Sequence, residues 1–307
     1  MKLTTAKYSL YTFLCENHLF GVLMALNVHN LPSAQMDLID IGVNLGNKAF
    51  DQDRDEVVKR ALDHGVRTLI LTGTSVEESH QALALAKKYD SCFSTVGIHP
   101  HDAHEATEQS INNLKELLLE NKVVAAGETG LDFNRDFSPR AVQEKAFEAQ
   151  LELAIESGLP LFCHERDASE RFADMVKAFR DQISALVVHC FTADKKALYR
   201  YLDLDLHIGI TGWVCDERRG THLHPLLKDI PEHRLMIETD APYLLPRTLE
   251  PRNRRNEPAF LGEVVTMIAR HTGKTPEVIA QQTSGTARRF FNLPPVPAPA
   301  TLGQGEQ

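Results

Sequence analysis

Val123-Val124-Ala125-Ala126-Gly127-Glu128 is an apolar run that ends on a carboxylate, and the chain repeats that design three more times. Leu159-Pro160-Leu161-Phe162-Cys163-His164, Ala185-Leu186-Val187-Val188-His189 and Leu235-Met236-Ile237-Glu238-Thr239-Asp240 each end on a side chain that can hold a metal. The four groups Glu128, His164, His189 and Asp240 are separated by 36, 25 and 51 residues. A strand with its following helix takes roughly 25 to 35 residues, so the first two gaps are one unit each and the last is two. In a (β/α)8 barrel all strand C-termini open on one mouth, which gathers such residues however far apart they lie in sequence. The period predicts an α/β fold of the TIM-barrel, metallo-dependent hydrolase type.

Outward from these runs, strand candidates end near Asn44, Thr72, Gly97, Glu128, His164, His189, Ile210 and Asp240, which completes a set of eight. Their richness in Val, Ile and Leu with little polar alternation is that of strands buried on both faces. Amphipathic segments lie between them with recognisable punctuation. Ser75 and Glu78 form a capping box, Gly65 closes a helix that starts after Asp53, and Ser138-Pro139 opens another that stops at Gly158. Residues 258–272 and 276–291 read as two closing helices, the second started by Thr275-Pro276.

The barrel domain is expected over residues 36–293. Residues 1–35 do not share the pattern of the rest of the chain: Lys2 and Lys7 precede an apolar stretch that Glu16, Asn17 and His18 interrupt. They read as a dispensable or mis-assigned start, a loosely packed extension, or a poor targeting signal. The proline-rich tail, 294–307, is expected to be disordered.

A chain of 307 residues, 43% hydrophobic and 24% charged, suits one large barrel and argues against both a disordered and a membrane protein. No apolar run reaches the roughly 18 residues of a spanning helix. The five cysteines, Cys15, Cys92, Cys163, Cys190 and Cys215, form no Cys-x-x-Cys pair, so a reducing, cytoplasmic setting is expected. Strand alternation should turn Cys163 and Cys190 toward the helices when His164 and His189 face inward, as core residues rather than chemical groups. The net charge of −9 counts against an extended nucleic-acid surface. A local anion-binding rim remains open in Arg218, Arg219, Arg247, Arg252, Arg254 and Arg255, with a solvated charge run as the alternative.

Each site candidate suits a definite chemistry. Glu128 can bridge two divalent ions about 3.5–4 Å apart. His164 and His189 offer neutral imidazole nitrogens for Zn2+ or Mn2+, and for Mg2+ where carboxylates dominate. Asp240 can take a proton from an attacking water. Glu238, two residues deeper on that strand, reads as a partner that orients a ligand. His99 is a phosphate or leaving-group contact, while His101 and His104 are expected in solvent. On the first strand the period of two puts Asp40, Gly42 and Asn44 on one face, a weak donor set for a second ion.

The chain resembles the TatD-type metal-dependent nucleases of the amidohydrolase barrel superfamily from Met36 to Asn292. The resemblance rests on Val96-Gly97-Ile98-His99-Pro100-His101, Gly127-Glu128-Thr129-Gly130-Leu131-Asp132, Cys163-His164-Glu165-Arg166-Asp167-Ala168, Val188-His189-Cys190-Phe191-Thr192 and Glu238-Thr239-Asp240-Ala241-Pro242-Tyr243-Leu244-Leu245. The stretches from Gly209 to Gly220 and from Arg254 to Ala259 add to it.

The resemblance implies a Mg2+-dependent exonuclease that trims the 3′ ends of single-stranded DNA or RNA, with a place in DNA repair or RNA turnover. It makes Glu128, His164 and His189 metal ligands and Asp240 a ligand or base. Many relatives carry His-x-His on the first strand where this chain has Gly42-Val43-Asn44. One resident ion is therefore expected, with a second recruited alongside the substrate phosphate. A barrel hydrolase of a small amide or ester, and a non-catalytic scaffold, are the competing readings, because fold alone does not choose a reaction.

Overall fold

The computed structural model describes residues 36–249 and 255–294. The expectations for residues 1–35, for 295–307 of the tail and for Arg252 and Arg254 lie outside them. Eight parallel strands run in chain order: β1 (Leu38–Val43), β2 (Val66–Leu71), β3 (Cys92–Val96), β4 (Val123–Asp132), β5 (Leu161–Arg166), β6 (Leu186–Val188), β7 (His207–Ile210) and β8 (Leu235–Ile237). The ring closes between first and last: Asn44 N donates to Ala241 O at 2.8 Å and Asp240 N to Gly42 O at 2.9 Å. The barrel is the fold that the ligand period predicts.

The helices are α1 (Arg54–Asp63), α2 (Val76–Lys88), α3 (Glu108–Leu117), α4 (Arg140–Ser157), α5 (Ser169–Phe179), α6 (Lys195–Asp203), α7 (Leu261–Thr272) and α8 (Pro276–Phe290). Ser75 caps α2 by accepting from Glu78 N, Thr275 caps α8, and Gly158 ends α4 in a left-handed turn with φ +71°. The start of α4 differs from expectation. Its cap position is Pro139, and the Ser138 hydroxyl is buried and donates to His101 O at 2.8 Å instead. After β7 the chain makes 3₁₀ turns, Gly212–Cys215 and Thr221–Lys228, where Pro225 is incompatible with a regular helix. Among the described residues no helix is long and apolar enough to cross a membrane.

Two apolar layers hold the ring. Inside lie Ile39, Ile41, Ile70, Val124, Ala125, Phe162, Val187 and Met236, plugged by Ala287, Phe290 and Phe291 at the end of α8. Outside, the opposite strand faces pack on the helices in one continuous layer that includes Cys163. With its bottom plugged, the barrel leaves polar groups only the other end, where the strands finish.

The backbone at β4 explains why that end is polar and tight. Gly127 (φ +127°) and Gly130 (φ +138°) occupy a region that side chains avoid, and a Cβ on either would collide with the carbonyl oxygen of Phe162 or His164 on β5. The two glycines let β4 press against β5, shift its register between Ala126 and Thr129, and run on to Asp132. Left-handed non-glycine residues gather in the loops beyond: Asp136 after β4, Asp167 after β5, Cys190 after β6, and Asp240 and Leu244 after β8. Such conformations persist where surrounding structure enforces them, and they concentrate at functional sites.

Candidate active site

Glu128 stands at the bend in β4, 6% exposed, and its Oε1 is the point on which three imidazoles converge. His189 Nε2 lies 2.7 Å from it, His99 Nε2 3.2 Å and His164 Nδ1 3.2 Å. Phe162 stacks beneath His189 at 4.6 Å and forms an apolar floor. Burial alone would push the Glu128 carboxyl up, but His189, His99 and His164 outweigh it and hold the group well below the ordinary range. The sequence-predicted ligands Glu128, His164 and His189 are thus brought together.

By distance alone, His99, Glu128 and His164 form the group whose donor atoms lie within 4.8 Å of one another. Hydrogen-bond direction separates them. A histidine ligand donates its remote N–H to an acceptor, leaving a lone pair for the ion. His164 Nε2 faces Asp132 Oδ2 at 3.2 Å and His189 Nδ1 faces Glu238 Oε2 at 3.3 Å, so His164 Nδ1 and His189 Nε2 are the nitrogens left to bind. His99 is wired the other way. Its Nδ1 accepts from His101 N at 3.1 Å, so in the neutral ring the proton sits on Nε2, which is then a donor. Burial lowers the His99 pKa and favours that neutral form.

His189 and His164 titrate in the opposite sense. Burial disfavours their cations, yet the carboxylates Glu128 and Glu238 raise His189 well above its ordinary value, and Asp132 and Glu128 raise His164. The protons facing Glu128 occupy the place of a bound cation, which would displace them. One carboxylate oxygen and two imidazole nitrogens fit a divalent ion of the Mg2+, Mn2+ or Zn2+ type.

Asp240 stands beside this cluster, its Oδ1 accepting from Asn44 Nδ2 at 2.9 Å. Burial raises its pKa to about 7, with His189 opposing the shift and Glu128 and Glu238 reinforcing it. Asp40 does not share a face with Asn44. The register of β1 against β2 shifts after Asp40. Its carboxyl turns out of the site and accepts from Thr239 N at 2.9 Å and Thr239 Oγ1 at 2.5 Å. Gly42 has the role that placement left open: a side chain there would occupy the space of Glu238.

The mouth corrects several expectations. His101 is not a solvent residue; its Nε2 lies 2.7 Å from Asp132 Oδ2, while His104 is exposed as expected. Cys190 lines the cavity instead of facing the helices, because β6 ends at Val188 and the left-handed Cys190 breaks the alternation. Burial pushes its thiol up to about 12. Of the predicted arginine rim, Arg219 lines the cavity, lying 4.3 Å from the Trp213 ring and paired with Asp216. Arg218 is also paired with Asp216 but stands outside the lining. Arg255 is turned away, bidentate to Asp53 at 2.8 Å and over the Phe50 ring. Arg247 pairs with Glu217. Arg135 and Arg166, neither of them part of the expected rim, line the cavity in their place.

Asp132 is the main group that sequence reading missed. Ending the fourth strand at Glu128 hid that the strand continues and that Asp132, four residues on, returns to the same side. Its Oδ1 accepts from Asn134 N at 3.0 Å and Arg135 N at 2.8 Å, while Oδ2 serves His101 and His164. The cavity that these loops enclose has a volume of about 660 Å3.

A buried acid–imidazole cluster at the C-terminal mouth of a closed parallel barrel defines a metal-dependent barrel hydrolase. The chain belongs to the TatD related DNase family, whose sequence profile matches residues 39–292. It is 48% identical over 258 residues to a protein of Salmonella typhimurium named 3'-5' ssDNA/RNA exonuclease TatD, covering 83% of this chain and 99% of that one. A protein of the same name from Rahnella is 51% identical over 259 residues, covering 83% and 98%. Among solved structures, a TatD homologue from Escherichia coli K12 matches at a TM-score of 0.78 with 27% identity, covering 84% of this chain and 99% of that one. A TatD family hydrolase from Entamoeba histolytica matches at 0.77 with 25% identity, covering 83% and 98%.

Proposed function

We propose that this protein is a divalent-metal-dependent exonuclease that removes nucleotides from the 3′ ends of single-stranded DNA or RNA. The observation that carries the reading is the Glu128–His164–His189 cluster lying under a mouth lined by Arg135, Arg166 and Arg219. An anionic substrate accounts for guanidinium groups around that mouth, since their fork meets two phosphate oxygens at once. A neutral ester or amide has no use for them. The 3′-to-5′ polarity and the single-stranded substrate rest on the names of the relatives.

Glu128, His164 and His189 would hold the resident ion, with Mg2+ or Mn2+ the proposed occupant. When bound, such an ion neutralises charge on the phosphoryl group and acidifies a water. Asp240, held by Asn44, takes the proton of the attacking water. His99 Nε2 donates to a phosphoryl oxygen as charge builds there. One resident ion is supported by β1, where Asp40 is committed to Thr239 and Asn44 to Asp240. A cytoplasmic setting is supported by four free cysteines among the described residues.

The test is incubation of the purified protein with 5′-end-labelled single strands and Mg2+ or Mn2+, beside Glu128→Ala. A ladder of strands shortened from the 3′ end, absent in the variant, is expected. Intact strands with both ions would overturn the reading.

A further inference from the structure

Among the described residues five large hydrophobic side chains are well exposed: Leu119, Phe137, Tyr199, Tyr243 and Val278. Two of the three aromatics stand at the mouth. Phe137, 67% exposed, lies in the loop after β4, and Tyr243, 54% exposed, lies in the loop after β8. In a ring ordered β1 to β8, the fourth and eighth strands face each other across the opening. The loops that carry the two rings therefore rise from opposite sides of the opening, Tyr243 in the cavity lining and Phe137 against His101, which lines it.

Both are held in place rather than left loose. Phe137 stands edge-on to His101 at 4.7 Å, and His101 stands edge-on to His99 at 4.2 Å, so a chain of rings leads from the rim to the buried carboxylate. Tyr243 lines the cavity. Its hydroxyl accepts from Asn47 Nδ2 at 3.0 Å, its N–H donates to Asp240 O at 3.0 Å, and its carbonyl accepts from the buried Asn256 at 2.7 Å. Neither ring is needed by the barrel's apolar layers, to which neither belongs.

We propose that Phe137 and Tyr243 form a pair of nucleobase-stacking platforms, one on each side of the scissile phosphate, that select unpaired strands. The proposal rests on the exonuclease reading and adds the groups that recognise the bases. Every base has a π face, so stacking on an aromatic ring tolerates any sequence. A ring also reads nothing of the 2′-hydroxyl, in keeping with a site that accepts DNA and RNA alike. Selectivity follows from geometry. A base within a duplex is already stacked and paired, and must be splayed out to lie on either ring. The phosphate between two splayed nucleotides then falls at the centre, over Glu128 and His99 and within the arginine-lined mouth.

The experiment compares Phe137→Ala, Tyr243→Ala and Tyr243→Phe with the wild type on two single-stranded oligonucleotides. One carries normal bases; the other has abasic sugars at its two 3′-terminal positions. Loss of a ring should raise KM on the normal substrate by about 5- to 150-fold and leave kcat nearly unchanged. The abasic substrate should cost the wild type a similar factor, and the ring-less variants little more. Tyr243→Phe, which keeps the ring and loses only the bond to Asn47, should lose less than Tyr243→Ala, and Tyr199→Ala, whose ring lies under Lys195 on the outer wall, should behave as wild type. Equal losses on both substrates, or an unchanged KM, would overturn the proposal.

A second measurement needs no turnover. In EDTA, an oligonucleotide with 2-aminopurine at its 3′ end should lose fluorescence on binding the wild type, and lose less on binding Phe137→Ala or Tyr243→Ala. Cleavage with no such difference removes the platforms but keeps the nuclease. Neither cleavage nor quenching by the wild type removes both.

Discussion

Replacing Asp132 by Asn should weaken metal binding at the proposed centre without touching any of the proposed ligands. Asp132 is buried, and although burial would raise its pKa, hydrogen bonds from His101, His164 and the Arg135 backbone hold it far below the carboxylate range. Asn keeps an oxygen for Asn134 N and Arg135 N, the 3.0 and 2.8 Å bonds that form the turn after β4. Its amide N–H then faces His164 Nε2 where Oδ2 had been. Two donors cannot face each other, so the ring moves its proton to Nδ1, the atom that should bind the ion. Loss of such a partner weakens metal binding by about 10- to 100-fold, or roughly 1.4–2.7 kcal/mol. The assay is calorimetric titration of Mn2+ into metal-free protein, with Glu128→Ala as the non-binding control and a melting curve to confirm folding. A folded Asp132→Asn protein with wild-type affinity would refute the tautomer argument. Affinity lost as completely as in Glu128→Ala would make Asp132 itself a ligand.

The opposite wiring of His99 gives the complementary expectation. His99→Ala should bind Mn2+ as the wild type does while kcat falls about 10²- to 10³-fold, the loss of one donor to a developing oxyanion; weakened Mn2+ binding would make it a ligand. Burial raises the pKa of Asp40 to about 8, above its ordinary 3.8, despite the bonds from Thr239 and Gly42. Between about pH 4 and 8 the folded state therefore keeps a proton that the unfolded chain has already given up. Stability should fall as pH rises through that window, by up to about 1.4 kcal/mol per unit from this group. Calorimetric melts at pH 5, 6.5 and 8 should show a flatter profile for Asp40→Asn, and superimposable profiles would contradict the shift. Arg219→Ala should lower the slope of log affinity against log salt for single strands by about 0.7. Arg255→Ala should leave that slope alone and lower the melting temperature by about 2–4 °C for each 1 kcal/mol lost with its bond to Asp53; a changed slope would return Arg255 to the phosphate grip.

The barrel was legible because its signal is repeated. Eight apolar runs, recurring about once per strand-helix unit and punctuated by caps and glycines, say the same thing many times over, and a misread start such as Ser138 costs nothing. Glu128, His164, His189 and Asp240 were legible for the same reason, being the polar residues that end those runs. Asp132 and His101 were not, because both lie past the point where periodicity seemed to stop. Only the close approach allowed by Gly127 and Gly130 carries β4 far enough for Asp132 to meet His164.

What the sequence determined alone was which residues stand at strand ends, since alternation and spacing are properties of one strand at a time. Which of them face the ion, the substrate or another part of the scaffold depends on partners brought from elsewhere in the ring. Asp40 and Asn44 differ by four residues on one strand, yet Thr239 claims one and Asp240 the other. Arg219 and Arg255 look alike in sequence, and only the position of Asp53 turns the second away from the mouth. The roles proposed for His99 and His164 follow from the groups on their far nitrogens, a backbone N–H in one case and a carboxylate in the other. Hydrogen-bond direction is a property of a pair, and the pairs form only when the barrel closes.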